Sequence, residues 1–230
     1  MTNAAPQRRI GAWWHLLTFL AVALGLVWQL ALTMRGQNVL VDAHGALPSI
    51  STRVIRFLSY FTVESNILVA GTALSLALRP DWDGRLWRVL RLQALYGITV
   101  TGIVYSTLLR GIVDLHGAAA VTNALLHYVA PLMTVIGWLL FGPRPRLDEN
   151  TLVTSLSWPA LYVGYTLAHG AASHWYPYPF IDVSTLGYVT ALRNGVGLNV
   201  LLVGVGALYM WLDHRLPATA PESDRQPADG

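Results

Sequence analysis

Six apolar runs, at 11–34, 54–78, 86–109, 122–141, 151–172 and 185–212, constrain this chain more than any motif in it. Each approaches or exceeds the roughly 20 residues that an α-helix needs to cross a hydrocarbon core of about 30 Å. No water is available there to satisfy backbone N–H and C=O groups, so such runs are expected to be helical. The sequence therefore predicts an all-α, polytopic membrane protein, a bundle of six transmembrane helices within residues 1–215. Residues 216–230, rich in Pro, Ala and acidic side chains, are predicted to form a disordered cytoplasmic tail. The first run is too long for a signal peptide and lacks a small-residue cleavage site, so a retained helix is expected.

Charge gives the expected orientation. All fifteen basic residues are Arg, and only 12% of the chain is charged against 54% hydrophobic. Arg8, Arg9, Arg79, Arg85, Arg88, Arg91, Arg144, Arg146, Arg215 and Arg225 fall at the termini and in the second and fourth loops. Arg35, Arg53, Arg56 and Arg110 fall on the other side. The positive-inside rule then puts both termini in the cytoplasm, with the protein in the cell membrane. Arginines spent on topology imply no nucleic-acid partner. The absence of Cys from the sequence excludes a disulfide, a thiolate metal site and a cysteine nucleophile.

Polar residues inside the second run break the apolar pattern. Thr62, Ser65 and Asn66 lie at i, i+3 and i+4 and share one helix face, while Glu64 points roughly 200° away. Ionisable and polar groups at membrane depth are costly and tend to face a cavity or a site. Counting from the ends of the runs puts Thr62 and Arg193 about 12 Å deep and His127 about 8 Å deep, all from the outer side. Tyr105 and His169 fall in the same outer half. A pocket walled by the second, fourth, fifth and sixth helices is expected there, with the first helix peripheral. Glu64 is expected to be neutral or paired with Arg193.

A hydroxyl and an imidazole in a partly dry cavity form a nucleophile–base pair, here Thr62 and His127. Asn66 is the amide placed to help bind an oxyanion, and Arg193 the group placed to hold a substrate carboxylate. Asn123, His169 and Tyr105 complete the expected substrate-binding set. Apolar walls at this depth suit a lipid-like ester, and no cofactor or metal is expected. Two other classes compete. His127 and His169 could ligate one haem axially in an electron-transfer protein. A transporter using Glu64 or Arg193 ranks last, since no internal repeat with matching broken helices is visible.

Phe61-Thr62 with the polar residues after it, Asn123-x-x-x-His127, and the Trp175-to-Phe180 cluster of Tyr and Pro resemble the androgen-induced gene one / androgen-dependent TFPI-regulating protein family. The resemblance covers most of the second to sixth runs. It implies a multi-pass membrane hydrolase that cleaves fatty acid esters of hydroxy fatty acids with a Thr nucleophile and a His, at Thr62 and His127. Where the animal members have an Asp three residues after the Thr, this chain has Ser65, and its acid is Glu64.

Overall fold

Residues 4–37 and 46–219 are described by the computed structural model, and every regular element among them is helical. In chain order they are α1 (Ala4–Met34), α2 (Ile50–Leu58), α3 (Phe61–Leu78), α4 (Arg85–Val104), α5 (Gly117–Ala124), α6 (Ala130–Phe141), α7 (Glu149–Ser155), α8 (Ser157–Ser173) and α9 (Val183–Arg215). A π-helical turn, Tyr105–Leu109, extends α4, and another, Leu125–Val129, joins α5 to α6. Among the described residues, five rods are long and apolar enough to cross a membrane: α1, α3, α4 with its π turn, α5 through α6, and α9. The chain is an all-α polytopic membrane protein.

The run predicted at 151–172 is two helices rather than one, α7 of 7 residues and α8 of 17. The cause is Pro159, which has no N–H for the carbonyl of Ser155. That carbonyl accepts instead from Gln93 Nε2 at 3.0 Å and from the Tyr96 hydroxyl at 2.7 Å, both on α4. The run predicted at 54–78 is also divided. Its spanning helix begins only at Phe61, after α2 ends against Ser59 and Tyr60. Thr62 therefore sits in the first turn of α3, not eight residues into a helix.

Both ends of the described chain lie at one end of the bundle. Arg8 of α1 pairs with Asp81 in the loop after α3. Asp213 near the end of α9 accepts from the backbone N–H of Arg146 and of Leu147, at 2.6 and 2.8 Å. Arg144 caps the end of α6 by donating to the carbonyls of Trp138 and Leu139. Arg91, counted among the loop arginines, is instead buried within α4. The predicted disordered tail starts ordered, because Thr219 N donates to the Arg144 carbonyl and Arg144 N to Thr219 Oγ1. The rest of that tail, 220–230, and 38–45 of the predicted loop at 35–50 lie outside the described residues.

Helix α1 is not peripheral. Its Val22, fully buried, joins Val69 of α3, Ala94 and Ile98 of α4, and Ala130 of α6 in one apolar cluster. Gln29 accepts from Thr122 at 2.6 Å, and Gly25 lies close against Leu125 and Leu126. Only the opposite face of α1, with Leu17, Leu20, Leu24 and Val27, is exposed. A second cluster, around Leu95, Tyr96, Trp138, Leu202 and Tyr209, ties α4 to α6 and α9.

Candidate active site

Pro131 sets the geometry of the site. It cannot donate to the turn before it, and Ala130 N reaches back five residues to the Leu125 carbonyl, so the helix widens into the Leu125–Val129 π turn. The Leu126 carbonyl is thereby left without a donor from its own helix. Asn66 of α3 supplies one: its fully buried Nδ2 donates to Leu126 O at 3.2 Å and to Thr62 O at 2.8 Å. This clamp fixes the first turns of α3 against the π turn. The turn carries His127, and α3 carries Thr62.

Thr62 Oγ1 and His127 Nε2 are 3.3 Å apart. His127 Nδ1 lies 3.1 Å from the carbonyl of Asn123, which can only accept, so Nδ1 carries the proton and Nε2 presents its lone pair to the Thr62 hydroxyl. The imidazole is held from the side by the Tyr105 ring, with centroids 4.2 Å apart. The Tyr105 hydroxyl accepts from Asn123 Nδ2 at 2.7 Å. Tyr105 and Asn123 thus orient the imidazole.

Tyr178 closes the other side of Thr62. Its hydroxyl accepts from Thr62 N at 3.2 Å and lies 3.4 Å from Thr62 Oγ1. A donor sequence runs from Tyr178 O–H through the Thr62 hydroxyl to His127 Nε2, and from Nδ1–H to Asn123 O. The neighbouring N–H of Phe61 donates to the Tyr162 hydroxyl at 3.2 Å, and that hydroxyl donates to Ser59 O at 3.0 Å. Two tyrosines therefore serve the free N–H groups that open α3. The aromatic cluster at 175–180 is more than an interface belt. Trp175 and Tyr178 both pack edge-on against Tyr60, and Asn194 holds the Phe180 carbonyl at 2.8 Å, folding the segment over Thr62.

An apolar cavity of about 70 Å³ opens from Thr62 between α3, α4, α8 and α9. Its walls include Val104, Leu167, Phe180, Leu198 and Leu202. The expected walls were the second, fourth, fifth and sixth runs. In place of the fourth stands α4, because the Asn66 clamp holds the π turn behind Thr62, and His127 is not part of the wall.

The structure brings Thr62, His127, Asn66, Asn123 and Tyr105 together and leaves two expected residues out. Arg193 is exposed on α9 and is not in the cavity wall. Glu64 accepts from Trp158 Nε1 at 2.7 Å rather than from Arg193, because Trp158 stacks on Phe61 one helical turn before it. His169 packs on Tyr165 and Trp175 and lies 3.3 Å from Ser173 Oγ. None of these is a partner of His127. Asn66 commits both amide hydrogens to carbonyls, which leaves it none for an oxyanion. The Tyr178 hydroxyl beside Thr62 has no signal in the sequence beyond its place among the aromatic residues after the fifth run. No protein-family model matches the chain, and neither a curated protein nor a solved structure does so.

Proposed function

We propose that the chain is an integral membrane hydrolase of lipid-like carboxylic esters, with Thr62 as nucleophile and His127 as general base. The observation that carries this is the 3.3 Å approach of His127 Nε2 to Thr62 Oγ1, with the tautomer set by the Asn123 carbonyl. Thr62 Oγ1 attacks the ester carbonyl as its proton passes to Nε2. The tetrahedral oxyanion receives a hydrogen bond from the Tyr178 hydroxyl, already within reach of Thr62 Oγ1. Collapse expels the alcohol, which takes the proton from His127 and leaves an acyl-Thr62 ester. Water, deprotonated by His127, then attacks that ester and returns Thr62 with a free carboxylic acid. Threonine is stiff at χ1, so a fixed backbone at the start of α3 fixes its hydroxyl as well.

The resemblance to the androgen-induced gene one / androgen-dependent TFPI-regulating protein family points to fatty acid esters of hydroxy fatty acids as the substrate class. The apolar cavity beside Thr62 suits such chains. Six crossings of the cell membrane, with α7 and α8 together making the fifth, agree with the two chain ends meeting at one end of the bundle. The arginine distribution makes that end cytoplasmic. The test is hydrolysis of a long-chain ester in detergent micelles by the purified protein and by Thr62→Ala. Turnover that survives in Thr62→Ala would remove Thr62 from the chemistry.

A further inference from the structure

The Thr62 end of the cavity is covered. Tyr178 sits on Thr62, Phe180 stacks on Tyr178 with centroids 5.1 Å apart, and Asn194 pins the segment through the Phe180 carbonyl. The seam between α8 and α9 is built differently. Val163, Leu192, Gly195 and Asn199 line the cavity and also an apolar groove on the outside of the same two helices. One layer of side chains separates the two spaces. At its centre is Gly195, where an added Cβ would meet only Val163 Cγ1, at 4.0 Å. Gly197, two residues on, is exposed and turns away from the seam. Along the groove Val196 and Val200 are 62% and 66% exposed, an apolar surface suited to acyl chains and costly in water.

We infer that an extended fatty acyl chain enters the Thr62 cavity sideways from the bilayer, through the α8–α9 seam at Gly195 and Val163. This rests on the cavity being the substrate site, as proposed above, but not on hydrolysis occurring there. Helix α9 lends itself to such a seam. Gly187, with φ of 72°, interrupts its first turns, and beyond that break Asn194, next to Gly195, holds the helix to the Phe180 carbonyl. A lateral entrance selects a single long chain, since a polar metabolite has no reason to partition into the groove.

The test uses the full-length protein in phosphatidylcholine vesicles containing a fatty acyl ester tagged with a photoreactive diazirine, with adducts mapped by mass spectrometry. Wild type is expected to label at cavity residues such as Leu198 and Leu202. Gly195→Leu, which fills the seam, should reduce that labelling at least about tenfold, whereas Gly197→Leu on the same helix should leave it unchanged. A second closure needs no new bulk. The chain has no Cys, so Val163→Cys with Gly195→Cys introduces one pair within reach of a disulfide. Oxidation should block labelling and reduction should restore it in the same folded protein. Equal labelling with the seam filled, or locked and unlocked, would overturn lateral entry, as would adducts confined to other helix faces. Thr62→Ala separates the two proposals, because it should lose ester turnover yet label like wild type. If wild type labels the cavity through the seam and cleaves no ester, hydrolysis fails and the entrance stands. If ester is cleaved at full rate with the seam locked, the reverse holds.

Discussion

Pro131 and Pro159 each deprive a membrane helix of one N–H, and the two helices respond differently. At Pro131 the helix continues by widening into a π turn, and the orphaned Leu126 carbonyl is served by a carboxamide from α3, Asn66. At Pro159 the helix divides into α7 and α8, and the Ser155 carbonyl is served by Gln93 and Tyr96 of α4. Both repairs follow from the cost of an unpaired carbonyl away from water, about 1–3 kcal/mol or more. The first repair points a histidine at a threonine. The second ties a broken helix to its neighbour and touches no reacting group. The two prolines therefore differ not in what each removes but in what the displaced turn faces.

The largest effect that separates the two regions should come from the reacting pair. Thr62→Ala and His127→Ala should each lower ester hydrolysis at least about 1,000-fold, and the double variant should be scarcely worse than either. Initial rates on a long-chain ester, normalised to folded protein, check this. Additive losses would mean that the two groups do not act as a unit. Next in size, Tyr178→Phe should cost about 100-fold or more in kcat with KM little changed, as expected for a donor that acts on the oxyanion. A KM effect alone would make Tyr178 a binding group.

Much of this comparison was legible in the sequence, and the illegible part has a physical reason. The all-α membrane architecture, the approach of Thr62 to His127 and the helix placement of Asn123 and Tyr105 follow from the apolar runs and from the cost of polar groups in hydrocarbon, whereas the runs at 54–78 and 151–172 are each two helices. Arg193 and His169 were expected in the site because depth was counted along each run, and depth says nothing about which way a side chain turns. Arg193 faces outward on α9, and His169 joins the Trp175 cluster. The sequence offers Asn66 as an amide to help bind an oxyanion, but its partner is a backbone carbonyl freed by a proline 65 positions along the chain, which no local pattern reports. Tyr178 was hidden for the converse reason. An aromatic segment after a membrane run looks like an interface belt until it is seen folded over the start of α3.

The two carboxamides make the comparison sharper at a smaller scale. Asn66→Leu leaves the Leu126 carbonyl unserved and should destabilise the protein by about 1–3 kcal/mol. It should also slow turnover in the fraction that remains folded, because the π turn carrying His127 loses its tie to α3. Gln93→Leu should cost about 1 kcal/mol or less, since Tyr96 still donates to Ser155 O, and should leave turnover per folded molecule unchanged. Thermal melting in detergent with parallel rate measurements distinguishes them. A turnover defect in Gln93→Leu equal to that in Asn66→Leu would erase the distinction.

The smallest effect belongs to the loop between α3 and α4, remote from both prolines. Burial raises the carboxyl pKa of Asp83, but the Arg88 guanidinium, the Gly84 N–H and Arg146 outweigh it and hold the carboxyl below its ordinary range. A carboxylate depressed in the folded state stabilises above its unfolded pKa, and the contribution disappears as pH falls through the folded value. Asp83→Asn should therefore lower stability by about 0.5–1 kcal/mol at neutral pH, with the difference starting to shrink near about pH 4 and gone once pH has fallen below the depressed folded value. Melting curves of the two proteins that stay parallel across that window would show that the Asp83 cluster contributes nothing.

Covalent capture of the nucleophile tests Thr62 and His127 most directly. The purified full-length protein is treated with a long-chain alkyl fluorophosphonate, and the modified residue is mapped by mass spectrometry. A single adduct on Thr62 Oγ1 is expected, absent from Thr62→Ala and formed far more slowly in His127→Ala, where no imidazole takes the hydroxyl proton. An adduct on any other residue, or equal labelling rates in wild type and His127→Ala, would contradict a Thr62 nucleophile activated by His127.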